Sequence, residues 1–343
     1  MIETPAVERL KALIERLDFF EKPDEVRIEP LTPDASTREY YRLRRNERSA
    51  IACVYPEPFK AHEHSYLDVT ELFQKCGLPV ARVYAFDEAA GIILMEDFGD
   101  TILREVLQSA DEATREDYLN RAITLIARIQ AGTKKAFELN SIASRLAFDF
   151  EKLSWELDFF TEHYFKTYKK SPLSDADEAA LKSELDEVAR ELAGKAKVLT
   201  HRDFHAANLM LDAEGNLQII DHQDARIGSV AYDLVSLLLD RVTTPPAPEY
   251  LAEKRRFFLS ERERLGLEAI DENEFAYEFR LQTIQRCLKA IGTFSYQSAV
   301  RGKTYFIPFI KPMFEIVLRA AQNLERFPAL QAVIREQLET ENG

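Results

Sequence analysis

The side chains best suited to chemistry lie in HRDFHAANLM (His201 to Met210) and in the QIIDHQDA that follows it. Asp203 is followed five residues later by Asn208 and, thirteen residues beyond that, by Asp221. Between the last two, LMLDAEGNLQII places apolar arms around a Glu-Gly-Asn turn. That pattern predicts a hairpin returning Asp221 to the side of Asn208. Phosphoryl transfer needs a carboxylate to orient an attacking hydroxyl and accept its proton. It also needs further oxygen donors to hold Mg²⁺ against nucleotide phosphates. An isolated loop aspartate would carry no such meaning; the three together across a hairpin do. His201 and His205 stand four apart, but Arg202 occupies the place of the glutamate base of a metalloprotease helix. His62 and His64 flank Glu63 with no third metal ligand nearby.

These residues need a scaffold, and the chain predicts one of α+β class. Val26 to about Asp97 breaks into five β-like runs, VRIEPL, REYYRL, SAIACVY, RVYAFD and GIILMED, with one helical stretch, SYLDVTELFQKCG, before the fourth. Helical spacing in VERLKALIERLDFF predicts a leading amphipathic helix. From Thr101 the pattern is helical except between Val198 and Ile220, and TTPPAPEY (Thr243 to Tyr250) marks a connection. The expected division is therefore a first lobe, 1–97, with a leading helix, a five-stranded antiparallel sheet and one helix. The second, 98–343, is mostly helical and carries the catalytic loop and acceptor site.

Composition narrows the function. The 45 basic and 59 acidic residues give a net charge of −14, against a nucleic-acid partner. No apolar run reaches the ~20 residues that span a bilayer, and MIETPAVERLK lacks the apolar core of a signal peptide. Cys53, Cys76 and Cys287 lie too far apart for a disulfide framework or a four-thiolate zinc site. The expectation is a cytoplasmic protein with a small-molecule substrate and neither a nucleic-acid nor a membrane partner.

Asp203, Asn208 and Asp221 stand at the spacing of kinase catalytic loops. With the order of elements, they resemble the aminoglycoside phosphotransferase and choline kinase branch of the protein-kinase-like fold, from about Glu29 to Lys311. PDASTREYYR (Pro33 to Arg42), IIDHQDARIGSVAYDLVSLL (Ile219 to Leu238) and QRCLKAIGTF (Gln285 to Phe294) are similar to the anomeric kinases of N-acetylmuramate and N-acetylglucosamine in peptidoglycan recycling. The resemblance implies a two-lobe fold, with a small antiparallel-sheet lobe and a helical one. It also implies an ATP- and Mg²⁺-dependent sugar kinase acting at carbon 1. Asp203 would be the catalytic base, Asn208 and Asp221 the Mg²⁺ ligands, and Gln223 and Asp224 the mouth of the sugar pocket. In ILMEDFGD, Met95 would back the adenine, the backbone of Glu96 and Phe98 would bond its edge, and Asp100 would lie near the connector. Tyr232 and Asp233 read as structural, Asp233 either capping the helix DLVSLLLD or bracing the catalytic loop through backbone amides.

The chain departs from that pattern at the nucleotide phosphates. Protein kinases carry a lysine on the third strand in a Val-Ala-Ile-Lys context; here the strand reads SAIACVY and holds none, and PDAST contains no glycine. Arg42 and Arg44, on one strand face by two-residue periodicity, are expected to substitute, with Ser36 and Thr37 donating to the phosphates; otherwise they are a solvated strand face. Without such a cation the chain would be a nucleotide-binding pseudokinase, against which the joint presence of Asp203, Asn208 and Asp221 speaks. Arg280 to Lys311 contains no Asp or Glu, where average content would place about five or six. Within it Gln282, Gln285, Arg286 and Lys289 form a polar helix stripe, which either faces water or lines the acceptor site. A positive field there favours N-acetylmuramate, whose carboxylate would pair with Arg286 or Lys289, over a cationic aminoglycoside or choline-like amino alcohol.

Overall fold

The computed structural model describes residues 5–17, 19–31 and 38–340; Ser36 and Thr37, read above as phosphate contacts, lie outside the described residues. The chain opens with α1 (Pro5–Arg16), β1 (Arg27–Leu31), β2 (Glu39–Arg45), β3 (Arg48–Val54), α2 (Ser65–Lys75), β4 (Val83–Asp87) and β5 (Ile92–Met95). The five strands form one antiparallel sheet in the order β1-β2-β3-β5-β4, as their alternation predicts. Asn46 and Glu47 alone join β2 to β3, and Asn46 takes φ 52°, a conformation that asparagine tolerates.

Alternation along the strands sorts their side chains. Tyr41, Leu43, Ala50, Ala52, Val54, Ile92 and Leu94 pack in one cluster with Leu10, Leu13 and Ile14 of α1. Tyr40, Ile51, Cys53, Ile93 and Met95 pack in a second cluster with Tyr66 and Leu67 of α2. Arg38 and Arg42 share parity with Tyr40 and so belong to this second face.

Next come α3 (Leu103–Ser109), α4 (Glu112–Ala131), α5 (Thr133–Glu138), α6 (Ile142–Arg145), α7 (Phe150–Thr161), α8 (Asp175–Gly194) and β6 (Val198–Thr200). The predicted hairpin is β7 (Leu209–Leu211) and β8 (Leu217–Ile219), and β9 (Arg226–Gly228) returns to pair with β6. The chain ends in α9 (Tyr232–Leu239), α10 (Pro248–Arg264), α11 (Glu272–Ala299), α12 (Ile310–Leu324) and α13 (Pro328–Thr340). α10 begins on Pro248, so the expected connection is helical from there; a proline at the first position forfeits no helical hydrogen bond.

Two compact units result. One runs to Ser109 and includes Ala207–Asp224; the other comprises Ala110–Ala206 and the chain from Ala225. This partition differs from a single cut at residue 97 by giving the hairpin to the first unit. There the Leu211 N–H donates to Thr101 O at 2.9 Å and the Ile219 N–H to Pro79 O at 2.7 Å. Among the described residues no helix is long and apolar enough to cross a membrane.

In the second unit α11 packs closely on α7. A Cβ at Gly292 would stand 2.7 Å from Phe160 Cα and 2.9 Å from Phe160 N. Glycine is therefore required by backbone approach. Gly292→Ala is expected to cost about 1–3 kcal/mol by overpacking; thermal unfolding reads this directly, and an unchanged midpoint would contradict it.

Candidate active site

The residues expected to form the catalytic loop start, in the second unit, where β6 ends. Asp233, in the first turn of α9, is 0% exposed and accepts the N–H of His201 at 2.7 Å and of Arg202 at 3.0 Å. Burial pushes its carboxyl up to about 7, against the pull of those two amides. Of the two roles expected for Asp233, bracing the loop is the one observed. Arg202 meets it in a left-handed conformation, φ 85°, uncommon for a side-chain-bearing residue.

Asp203 follows immediately. Its Oδ1 lies 3.4 Å from Arg286 Nη2 and 3.5 Å from Lys289 Nζ, and its Oδ2 lies 3.9 Å from Arg202 Nε. Burial would raise this carboxyl, but Lys289, Arg286, Arg202 and His205 outweigh it and hold the group well below the usual carboxylate range. Lys289 is pushed down by its own burial while Asp203 supports its charge. The result is a carboxylate ionised at any working pH. It is well suited to accept a hydrogen bond from a hydroxyl and weak as a base.

The polar stripe of α11 faces the interior. Gln282, Gln285 and Arg286 are all buried, so the solvated reading does not hold. Ser229 Oγ donates to Gln282 Oε1 at 2.7 Å, Gln282 Nε2 to Gln285 Oε1 at 2.8 Å, and Gln285 Nε2 to Glu156 Oε2 at 2.8 Å. Gln285, expected to line the acceptor site, is thus committed to the wall at both ends of its amide. Arg286 also donates to Ser236 Oγ at 3.1 Å. Lys289 keeps 18% of its side chain exposed. Glu156 is the residue that sequence reasoning missed. Its only local signal is Lys152 four positions earlier, 3.7 Å away.

In the first unit the hairpin delivers Asn208 and Asp221 as predicted. Its turn is tied by Asp212 Oδ1, which accepts from Glu214 N at 3.1 Å and Asn216 N at 2.8 Å. Asn208 Nδ2 donates to Asp221 Oδ2 at 3.3 Å, and Gln223 Nε2 to Asp221 Oδ1 at 2.8 Å. Gln223, read as a sugar contact, here orients Asp221. Asp221 itself takes φ 61°, and Asp224 follows, half-buried. Between them His222 is a core residue. Its ring lies 5.0 Å from that of Tyr66 and 5.4 Å from that of Phe73, and its Nε2 meets Thr70 Oγ1 at 2.7 Å. The hairpin exit is thereby anchored on α2. An amide and a carboxylate side by side are the hard oxygen donors that Mg²⁺ takes while keeping waters and phosphate oxygens. Among the described residues no three His, Cys, Asp or Glu side chains gather as a dedicated metal cage.

Beyond β5, Met95 is buried and its sulfur accepts from Tyr66 Oη at 3.1 Å. The Glu96 N–H is committed to Arg82 O at 2.9 Å, so a base contact from Glu96 would use its carbonyl. Phe98 packs on the second sheet face with Met95. Arg42 is buried on this segment: Nη1 donates to Asp100 Oδ1 at 2.7 Å, Nη2 to Gly99 O at 2.8 Å and Asp97 Oδ1 at 3.1 Å, and Nε lies 2.9 Å from Asp97 Oδ2. Its contacts are those of a brace, where a phosphate-binding role was expected. Arg44 is about half exposed, 3.9 Å from Glu29. A cavity of about 1270 Å³ in this unit is lined by Arg44, Gln74, Asp97 and Gln218 among others, and by Glu96 and Phe98 of the segment expected to meet adenine, but by neither Asn208 nor Asp221.

A model of the phosphotransferase enzyme family matches residues 27–268. Four curated relatives share the name N-acetylmuramate/N-acetylglucosamine kinase. The one from Neisseria meningitidis serogroup B is 28% identical over 307 residues, 88% of this chain and 88% of the relative. The one from Pseudomonas aeruginosa is 29% identical over 289 residues, 83% and 81% respectively. The solved structure of choline kinase LicA from Streptococcus pneumoniae matches with a TM-score of 0.57 and 15% identity, covering 92% of this chain and 100% of that one. The protein-kinase-like fold expected from the catalytic-loop spacing is the fold this match shows.

Arg42→Ala would leave Asp97, whose side chain is 4% exposed, buried without its cation, at a cost of about 3–5 kcal/mol. Denaturant unfolding measures it, with Arg42→Lys expected to recover part of the loss; wild-type stability in Arg42→Ala would remove the brace from the account.

Proposed function

The chain belongs to the phosphotransferase enzyme family, and from that premise we propose a kinase that transfers the γ-phosphoryl group of ATP to N-acetylmuramate or N-acetylglucosamine. The observation that carries the reading is Asp203, an ionised carboxylate on a braced loop with Arg286 and Lys289 at its side.

The second unit supplies the acceptor half of the reaction. Asp203 accepts a hydrogen bond from a sugar hydroxyl and orients its oxygen for in-line attack on the γ-phosphorus. As the new P–O bond forms and the bond to the β-phosphate oxygen breaks, the hydroxyl proton passes to Asp203 and ADP leaves. A carboxylate held so low takes that proton late, so positioning outweighs basicity. The anomeric hydroxyl is the most acidic on such a sugar, which favours carbon 1 as the site of transfer. Arg286 and Lys289 make the surroundings positive, which suits an acidic or neutral acceptor and repels a polycationic aminoglycoside or a choline-like cation. Lys289, the more exposed of the two, would meet the carboxylate of N-acetylmuramate. The names of the four relatives point to the same acceptors.

The first unit supplies the nucleotide half. Asn208 and Asp221 would hold Mg²⁺, with Asn208 and Gln223 fixing the two carboxylate oxygens of Asp221. When bound, that ion neutralises charge on the phosphates. Met95 backs the adenine, and the Glu96 carbonyl and Phe98 backbone meet its edge.

Asp203→Asn is expected to lower kcat at least about a thousandfold while ATP binding persists. Coupled assays with N-acetylmuramate, N-acetylglucosamine and kanamycin test the acceptor. Turnover of kanamycin alone, or ATP consumption with none of them, would overturn the reading. Lys289→Met removes a cation that keeps Asp203 deprotonated, so the carboxyl should rise. Wild type should show no acidic limb from Asp203 in kcat/KM across the working range, whereas Lys289→Met should lose activity toward the acid end; a profile as flat as wild type would show that Lys289 does not act on Asp203.

A further inference from the structure

A nucleotide triphosphate needs a fixed cation on the sheet as well as its metal, and β3 does not provide one. The positions of β3 and its end on the second face are Ile51, Cys53 and Tyr55, which offer an alkyl chain, a thiol and a phenol. Burial raises the Cys53 thiol, which leaves a neutral group at the middle of that face. Of the arginines on β2, Arg42 is bound up with Asp97, Asp100 and Gly99, and Arg44 sits at the far end beside Glu29.

Arg38, immediately before β2, has the right parity and the right level. Tyr40 lies opposite Cys53 and Glu39 opposite Val54, so Arg38 falls level with Tyr55. Its guanidinium carbon is 5.8 Å from the Tyr40 ring centre and 5.9 Å from that of Tyr55, cation–π distances to two rings on adjacent strands. Its charge reaches the thiol of Cys53 and also His64, whose ring is held below its ordinary value by burial first and by Arg38 second. Arg38 also hydrogen-bonds the Tyr55 side chain, and a guanidinium carries five N–H donors in a planar fork, a geometry that matches an oxyanion.

We propose that Arg38 is the phosphate-binding cation of the nucleotide site, reaching from β2 across the ligand face of β3 to do what a β3 lysine does in protein kinases. The inference rests on the nucleotide half of the proposed function. It makes Tyr40 and Tyr55 the platform that fixes the guanidinium, and it moves the cation one strand along from its usual origin.

Binding of ATP, ADP and adenosine to the full chain tests it by calorimetry, with wild type, Arg38→Gln and Arg38→Lys. Arg38→Gln should weaken ATP and ADP by about tenfold to a hundredfold, the worth of one charge-assisted contact, and leave adenosine affinity unchanged. Arg38→Lys should recover most of the phosphate-dependent affinity. Equal ATP affinity in wild type and Arg38→Gln overturns the inference. So does an equal loss for adenosine and ATP, because that marks a structural role. If Arg38→Gln fails to fold, Arg38→Lys decides alone: a folded lysine variant that binds adenosine normally but has lost more than about a hundredfold in ATP affinity refutes the charge argument, and near-wild-type ATP affinity upholds it. Failure of wild type to bind either ATP or ADP would instead bring down the kinase reading beneath it.

Discussion

A carboxylate sealed from water must find its donors inside the protein, and Asp233 finds two in the backbone of His201 and Arg202. Those bonds do more than satisfy a buried group. They hold Arg202 in a left-handed turn, and that turn sets the direction in which the next residue, Asp203, leaves the loop. Without the brace, the Asp203 carboxylate would have no fixed relation to the cations of α11. The buried amide chain from Ser229 through Gln282 and Gln285 to Glu156 serves the same end from the other side. It fixes the helix face from which Arg286 and Lys289 project.

The first unit separates its cations by task. Arg42 is enclosed by the 97–100 segment and shapes the backbone there. Arg38 is presented on phenol rings at the other end of the strand. Two arginines four residues apart on one strand face thus do different work, because one meets carboxylates and the other meets ring faces. The anchoring of His222 between Tyr66 and Phe73 makes a parallel division inside Asp-His-Gln-Asp, where the histidine is core and Asp221 is offered outward.

Much of this was legible in the residue order. The five strands could be read because short β-like runs, down to the wholly apolar IILM of β5, are set between turn-rich pieces. The hairpin could be read because apolar arms bracket a Gly-containing turn, and it does bring Asn208 to Asp221. Periodicity also grouped Gln282, Gln285, Arg286 and Lys289 on one face of α11. It could not say that this face points inward, since the partners Glu156, Ser229 and Asp203 lie far away in sequence. The same limit holds for the arginines around β2. Alternation gives Arg38, Arg42 and Arg44 the same parity, and only the distant Asp97 and Asp100 reveal that Arg42 is occupied. β6 and β9, three residues each, are too short for any period to show.

The first unit is discontinuous, and that has a consequence for biosynthesis. Pro79 and Val80 pair with Ile219, more than a hundred residues downstream, so a ribosome must release nearly two thirds of the chain before the unit can close. Until then α2 exposes the apolar slot between Tyr66 and Phe73 that His222 will fill. Nascent chains paused among the intervening helices would present that slot to chaperones, and a fragment ending before Ile219 would lack the strand that completes its own first unit.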